Sequence, residues 1–192
     1  MSLGSKRWPL VAMVAAFCAL GLSFSAQALV AHWNGDRLQV AAPGLHFLTG
    51  RALERLHNGV TVPFNFQLTL TTIPRSFPLE RELARFDVSY DVWEERFTVF
   101  EARSPRRAAS HMTSNQAEVW CVDRMSVAAS TAPGDKDLWL RLEIRADESS
   151  GGTADDSSLS LARLIDIFSR PARSQQEWVA ETQPFQLRNL KR

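Results

Sequence analysis

Cysteine is scarce in this chain, whose 192 residues contain only Cys18 and Cys121. Cys18 lies in an N-terminal segment with the marks of a removable leader, and a chain left with Cys121 alone forms no intramolecular disulfide. Stability must then come from a hydrophobic core. A solitary cysteine in such a chain reads as buried and inert rather than redox-active or nucleophilic. An excess of either charge is also lacking, with 22 Lys and Arg against 21 Asp and Glu. That balance excludes the concentrated basic footprint that nucleic acid requires. The four histidines, His32, His46, His57 and His111, form no short pair such as H-x-x-x-H, and no second cysteine joins them. Beyond the leader there is no G-x-S-x-G elbow, no S-x-x-K and no Gly-rich phosphate loop after a strand. These absences leave no catalytic, cofactor-binding or metal-binding residue to name, and no cofactor to expect.

What the N-terminus does contain is an export signal. Lys6 and Arg7 form a positive start, an uncharged apolar run extends from Trp8 to about Leu22, and Ser23, Phe24 and Ser25 lead into Ala26-Gln27-Ala28. Small residues at Ala26 and Ala28 suit a signal peptidase, so residues 1–28 read as a signal peptide cleaved after Ala28. A retained anchor is the rival reading, but the strongly apolar part is shorter than the roughly 20 residues a spanning helix needs. A lipoprotein is disfavoured because Cys18 follows Phe17 inside the apolar run. The leader holds two of the 22 basic residues and none of the 21 acidic ones, leaving 164 residues of net charge −1. The expectation is one exported domain over residues 29–192, periplasmic or extracellular, soluble, and without an integral membrane span.

Period-two alternation dominates that region. Leu29 to Trp33 and Arg37 to Ala42 flank Asn34-Gly35-Asp36, a hairpin signal. Val62, Phe64, Phe66, Leu68 and Leu70 alternate with Pro63, Asn65, Gln67, Thr69 and Thr71, predicting one buried face and one wet face. Ala84 to Val92 alternates likewise, turns at Glu94-Glu95 and returns through Phe97 to Ala102. Leu138 to Arg145 forms a third alternation, and Phe185 to Arg188 a short last strand. Three helices are predicted. The first spans Arg51 to His57 with Thr49 as cap. The second runs from about Asn115 to Ala128 with Thr113 and Gln116 as a capping box. The third spans Leu159 to Ser169. The second carries Ala117, Trp120, Cys121, Met125 and Ala128 on one face, which puts Cys121 in the core. The fold class is therefore α+β, a mostly antiparallel sheet of about six to seven strands packed with two or three short helices.

Other features read more plainly as structure than as chemistry. Asp87 and Asp91 project from one strand face, where solvated carboxylates are ordinary. The Ser-, Gly- and Asp-rich stretch from Asp147 to Ser158 resembles a calcium loop only in part, since position twelve is Ser158 and position five is Gly151. Arg103, Arg106 and Arg107 surround Ser104-Pro105 in a solvated turn. Aromatics are the distinctive surplus. Trp139 falls on the polar face of its strand and Trp93 at a hairpin tip, which makes these two the candidates for partner binding.

Leu56-His57-Asn58-Gly59-Val60, Val62-Pro63-Phe64-Asn65-Phe66-Gln67-Leu68, Phe86-x-Val88-x-Tyr90-Asp91-Val92 and Phe97-x-Val99 together resemble an uncharacterised family of exported bacterial proteins. Trp178 and Phe185-Gln186-Leu187 would supply that family's closing strand. The resemblance implies export and this fold class, and it brings no catalytic residues. The resulting expectation is a non-catalytic envelope or periplasmic protein that binds another envelope component. Two alternatives stand beside it. One is a small periplasmic hydrolase or metal-dependent enzyme built on His32, His46 and His57. The other is a carrier holding an apolar ligand between sheet and helices.

Overall fold

The alternation beginning at Val62 builds the middle of the protein. A computed structural model describes residues 27–74, 76–103, 105–147 and 176–190. Its strands are β1 (Gln27–Ala28), β2 (Val30–Asn34), β3 (Arg37–Ala41), β4 (Val62–Thr71), β5 (Glu80–Asp91), β6 (Arg96–Glu101), β7 (Arg107–Met112), β8 (Ser126–Ala128), β9 (Trp139–Ala146) and β10 (Glu177–Glu181). Two helices, α1 (Gly50–His57) and α2 (Ser114–Val122), complete it with a 3-10 turn at Leu187–Asn189. Seven strands form one sheet in the order β1-β10-β9-β4-β5-β6-β7, and β2-β3-β8 form a second. All pairings are antiparallel except β1 with β10. The α+β class with mostly antiparallel strands is as expected. The strands exceed the six to seven anticipated, and they form two sheets.

The second sheet is the larger departure. Helices alone were expected to cover the long sheet; instead β8 packs on β4 and β5, with α1 and α2 also packed on the long sheet. One buried cluster fills the space between. Phe47 stands edge-on to Phe64 at 5.1 Å and to Phe66 at 5.3 Å, and Phe66 to Phe86 at 4.8 Å. Each such pair adds about 0.5–1.5 kcal/mol beyond area burial. Cys121 is fully buried in this cluster, as the helical spacing predicted.

Local signals explain most boundaries. The β2–β3 loop is Gly35-Asp36, with Gly35 at φ 68°, the left-handed geometry a two-residue hairpin loop demands. The capping box at α2 is present, Thr113 Oγ1 accepting from Gln116 N–H and Gln116 Oε1 from Thr113 N–H. Yet α2 ends at Val122, six residues before the expected Ala128. Tight bonds from Arg124 N–H to Cys121 O and Met125 N–H to Val122 O close the helix. Val127 is then buried in β8, paired with Leu38 of β3.

The C-terminal prediction is corrected in the same way. Phe185 makes only an isolated bridge to Leu138, and Leu187–Asn189 turn into the 3-10 segment. The closing strand is β10, too short for its alternation to stand out. It seats Trp178 6.3 Å from Phe47, partly buried. Strand β7 also went unread, because Arg-Ala-Ala-Ser-His-Met has no period. It is a mostly exposed edge held by backbone pairing to β6, with an irregularity opposite Phe97–Val99 and His111 at φ 58°. The predicted third helix, Leu159 to Ser169, and the loop from Glu148 to Ser158 lie outside the described residues, as does Ala26.

Thr49 holds the N-cap position of α1, but its side chain makes no capping bond. Gln176, far along the chain, replaces it. Its Oε1 accepts from Ala52 N–H at 3.1 Å, and its Nε2 donates to Thr49 O at 3.0 Å. Gly50, at φ 56°, makes room for that amide, since a Cβ there would lie 2.5 Å from Gln176 Nε2. Gly35 has the same backbone geometry and open space around it. Gly50→Ala should therefore cost about 2 kcal/mol, the left-handed penalty plus the lost cap, and Gly35→Ala about half of that. Paired denaturant titrations of the two variants would check the difference.

Candidate binding groove on the outer sheet face

The face of the long sheet turned away from the core is a set of polar rows. Across β10, β9, β4 and β5, register places Glu181, Arg141, Thr69 and Arg81 in one row. Val179, Glu143, Gln67 and Leu83 form the next, then Glu177, Arg145, Asn65 and Arg85. Most of its charges are satisfied within the face. Arg141 bonds Glu143 at 2.6 Å and also pairs with Glu181. Arg145 meets Glu177 at 3.2 Å and Glu143 at 3.7 Å, and Arg85 bonds Asp87 at 2.8 Å. Burial lowers the Arg141 guanidinium, but the hydrogen bonds it donates to Glu143 and Glu181, together with their charges, outweigh this and hold it above its ordinary value.

Arg81 differs. Its side chain is exposed and makes no ion pair among the described residues. Asn65 also departs from expectation. Alternation assigned it to the wet face, yet it is fully buried, and neither atom of its amide has a hydrogen-bond partner among the described residues.

Two depressions adjoin at the end of this face where β9 begins. One, of about 260 Å³, has polar walls that include Gln67, Thr69, Thr71, Arg81 and Arg141. The other, of about 590 Å³, is lined mainly by Ala28–Ala31, Pro184, Phe185 and Leu190. Trp139, Pro74 and Glu181 belong to both. Trp139, opposite Thr71 in the register, is thus a half-buried indole between a polar and an apolar hollow. Arg81, Pro74 and Phe185 were missed as groove residues. The alternation read from Ala84 onward stops short of Arg81, and only the fold brings Arg81 into one hollow with Trp139.

Trp93 is elsewhere, 96% exposed in the β5–β6 turn, its N–H donating to Asp91 Oδ1 at 2.8 Å. Asp91 also accepts from Glu94 N–H, and Asp87 is held by Arg85, so the two carboxylates shape a turn and an ion pair. The histidines sit on separate elements with separate partners. His32 is exposed on β2, and His57 packs on Tyr90 at 4.5 Å. His46 Nδ1 lies 2.8 Å from Glu118 Oε2, while Glu94 bonds His111 at 2.7 Å. Among the described residues no group of three or more His, Cys, Asp or Glu could hold a metal ion. Glu118 is a buried carboxylate that sequence reasoning passed over. It also accepts from Leu48 N–H at 2.8 Å, tying the segment before α1 to α2. Of the basic turn, Arg103 pairs with Glu82.

Protein-family models, curated proteins and solved structures were each compared with the chain, and none matches it.

Burial pushes the Cys121 thiol well above its ordinary 9.0; Arg124 opposes this, and Glu118 and Glu101 add to it. The folded state thus keeps a proton that the unfolded chain releases near pH 9.0. The associated stability is complete below that pH and is lost as pH rises toward the folded value. In a C18S background, C121A should flatten the alkaline decline by up to about 1.4 kcal/mol per pH unit. Thiol titration at pH 8 should find Cys121 unreactive in the folded protein and fully reactive in urea.

Proposed function

We infer that this chain is a non-catalytic exported protein of the cell envelope, a binding or accessory module that engages another envelope component through the groove at Trp139. One observation carries the reading: a half-buried indole lies, with Pro74 and Glu181, between a hollow lined mostly by polar residues and an apolar one. A tryptophan in that position offers broad, rigid contact area at little entropic cost. The groups an enzyme would use have other partners. His46 is held by Glu118, His57 lies on Tyr90, and Asp87 and Asp91 bond their own strand and turn. The leader read from Lys6, Arg7, Trp8 to Leu22 and Ala26-Gln27-Ala28 supports export, in keeping with the resemblance to exported bacterial proteins. Among the described residues no helix is long and apolar enough to cross a membrane.

A carrier of an apolar ligand is the second reading, favoured by the apolar hollow beside Trp139. The ligand would lie there rather than between sheet and helices, where the Phe47, Phe64, Phe66 and Phe86 side chains fill the space. The enzyme built on His32, His46 and His57 has no comparable support.

Capture of one reproducible component from envelope fractions by the immobilised protein tests the first reading. Trp139→Ala should weaken that capture about 30-fold or more, as expected of an anchoring residue, and Trp93→Ala should leave it unchanged. Absence of any captured component, together with turnover in a hydrolase screen, would overturn it.

A further inference from the structure

The turn joining β4 to β5 displays apolar surface that the rest of the protein leaves uncovered. Phe77 is 96% exposed, Ile73 63% and Leu79 37%. They interleave with Pro74, Ser76 and Pro78, which line the polar hollow. Val30, 51% exposed, belongs to the same end, because Ala28–Ala31 and Pro74 share the walls of the apolar hollow. Four of the nine large apolar side chains exposed among the described residues therefore gather here. A single exposed apolar residue is ordinary, but a cluster marks an interaction site.

Charge narrows the occupant. From Thr71 to Leu79 the sequence holds no acidic residue. The next carboxylates are engaged, Glu80 accepting from Thr131 Oγ1 at 2.8 Å and Glu82 paired with Arg37 and Arg103. Arg81 is exposed beside them and has no ion-pair partner among the described residues. Glu80 keeps its charge, yet Arg37, Arg81 and Arg103 outnumber Glu80 and Glu82. Apolar side chains beside this net positive group complement an anionic lipid surface, where rings enter the headgroup region and the cation meets phosphate.

We propose that the β4–β5 turn docks this protein on an anionic lipid surface, with Phe77 and Ile73 among the headgroups and Arg81 against a lipid phosphate. Docking rests on this turn and not on Trp139, so it succeeds or fails separately from the binding-module reading.

The test uses the exported chain, residues 29–192, with an environment-sensitive fluorophore on Ser76→Cys; Cys121, its one native cysteine, is buried. On phosphatidylglycerol vesicles the emission should shift to the blue and rise severalfold, with a much smaller response on phosphatidylcholine. The same label on Glu95→Cys, in the turn at the other end of β5, should not respond. Adding Ile73→Ser and Phe77→Ser should weaken the partitioning reported at position 76 about tenfold or more, and Trp93→Ala, also in the turn at the other end of β5, should leave it unchanged. Both serines replace exposed side chains, and an unaltered circular dichroism spectrum would verify folding. An unresponsive label at position 76, or an undiminished response in the double-serine variant, overturns the proposal. An equal response on both lipids overturns its anionic part. Protection of the label by an envelope protein but not by vesicles identifies a protein contact and also overturns it.

Discussion

Strand β4 is the constraint on which the rest depends. It pairs along almost its whole length with β5 on one side and β9 on the other, so its register sets theirs. Val62, Phe64, Phe66, Leu68 and Leu70 are all fully buried, and a slip of one residue would turn that entire set outward. Every polar row of the outer face follows from the same alternation. The position of Trp139 opposite Thr71, and of Arg81 opposite Thr69, is a consequence of how β4 aligns its neighbours.

The two faces of this sheet are stabilised by different physics. On the core face, aromatic packing is dense and non-directional in its driving force, and both helices and strand β8 of the small second sheet pack on the long sheet there. On the outer face, Arg141, Arg145, Glu143, Glu177 and Glu181 share bonds in a connected network. Partly exposed pairs contribute little each, so this network does more to order the surface than to stabilise the fold. An ordered polar surface on which Arg81 has no ion pair among the described residues, with an indole at its margin, differs from a generic solvated face. That difference makes the Trp139 end a candidate binding surface.

Much of the fold was legible where residue pattern and burial coincide. The alternations in β4, β5 and β9, the Gly35-Asp36 hairpin and the Thr113–Gln116 cap all act within a few residues, and sequence records such effects directly. The rest depended on distant partners. Nothing near Thr49 shows that Gln176 will cap α1, and nothing near Met125 shows that the following residues will pair with β3 rather than continue a helix. Strand β7 has no pattern because it buries almost nothing. The groove was half visible: Trp139 was recognisable as an aromatic on the wrong face. Arg81, Pro74 and Phe185 meet it only because three separate segments converge.

Leu29 N–H donates to Glu181 O, joining residues of long sequence separation, and in the chain that still carries its leader the β1–β10 pairing of Gln27 to Ala180 and Ala28 to Glu181 extends this contact. Contacts of such long sequence separation carry the largest loop-closure cost and are the last to become available as a chain emerges from its N-terminus. The early segment must wait, without its neighbour, until residues 177–181 have formed their own strand on β9. The apolar hollow shares this timing, since Ala28–Ala31 and Thr182–Leu190 supply opposite parts of its wall. Its appearance would therefore mark the completion of folding, and a chain truncated before β10 would lack it however much of the central sheet had assembled.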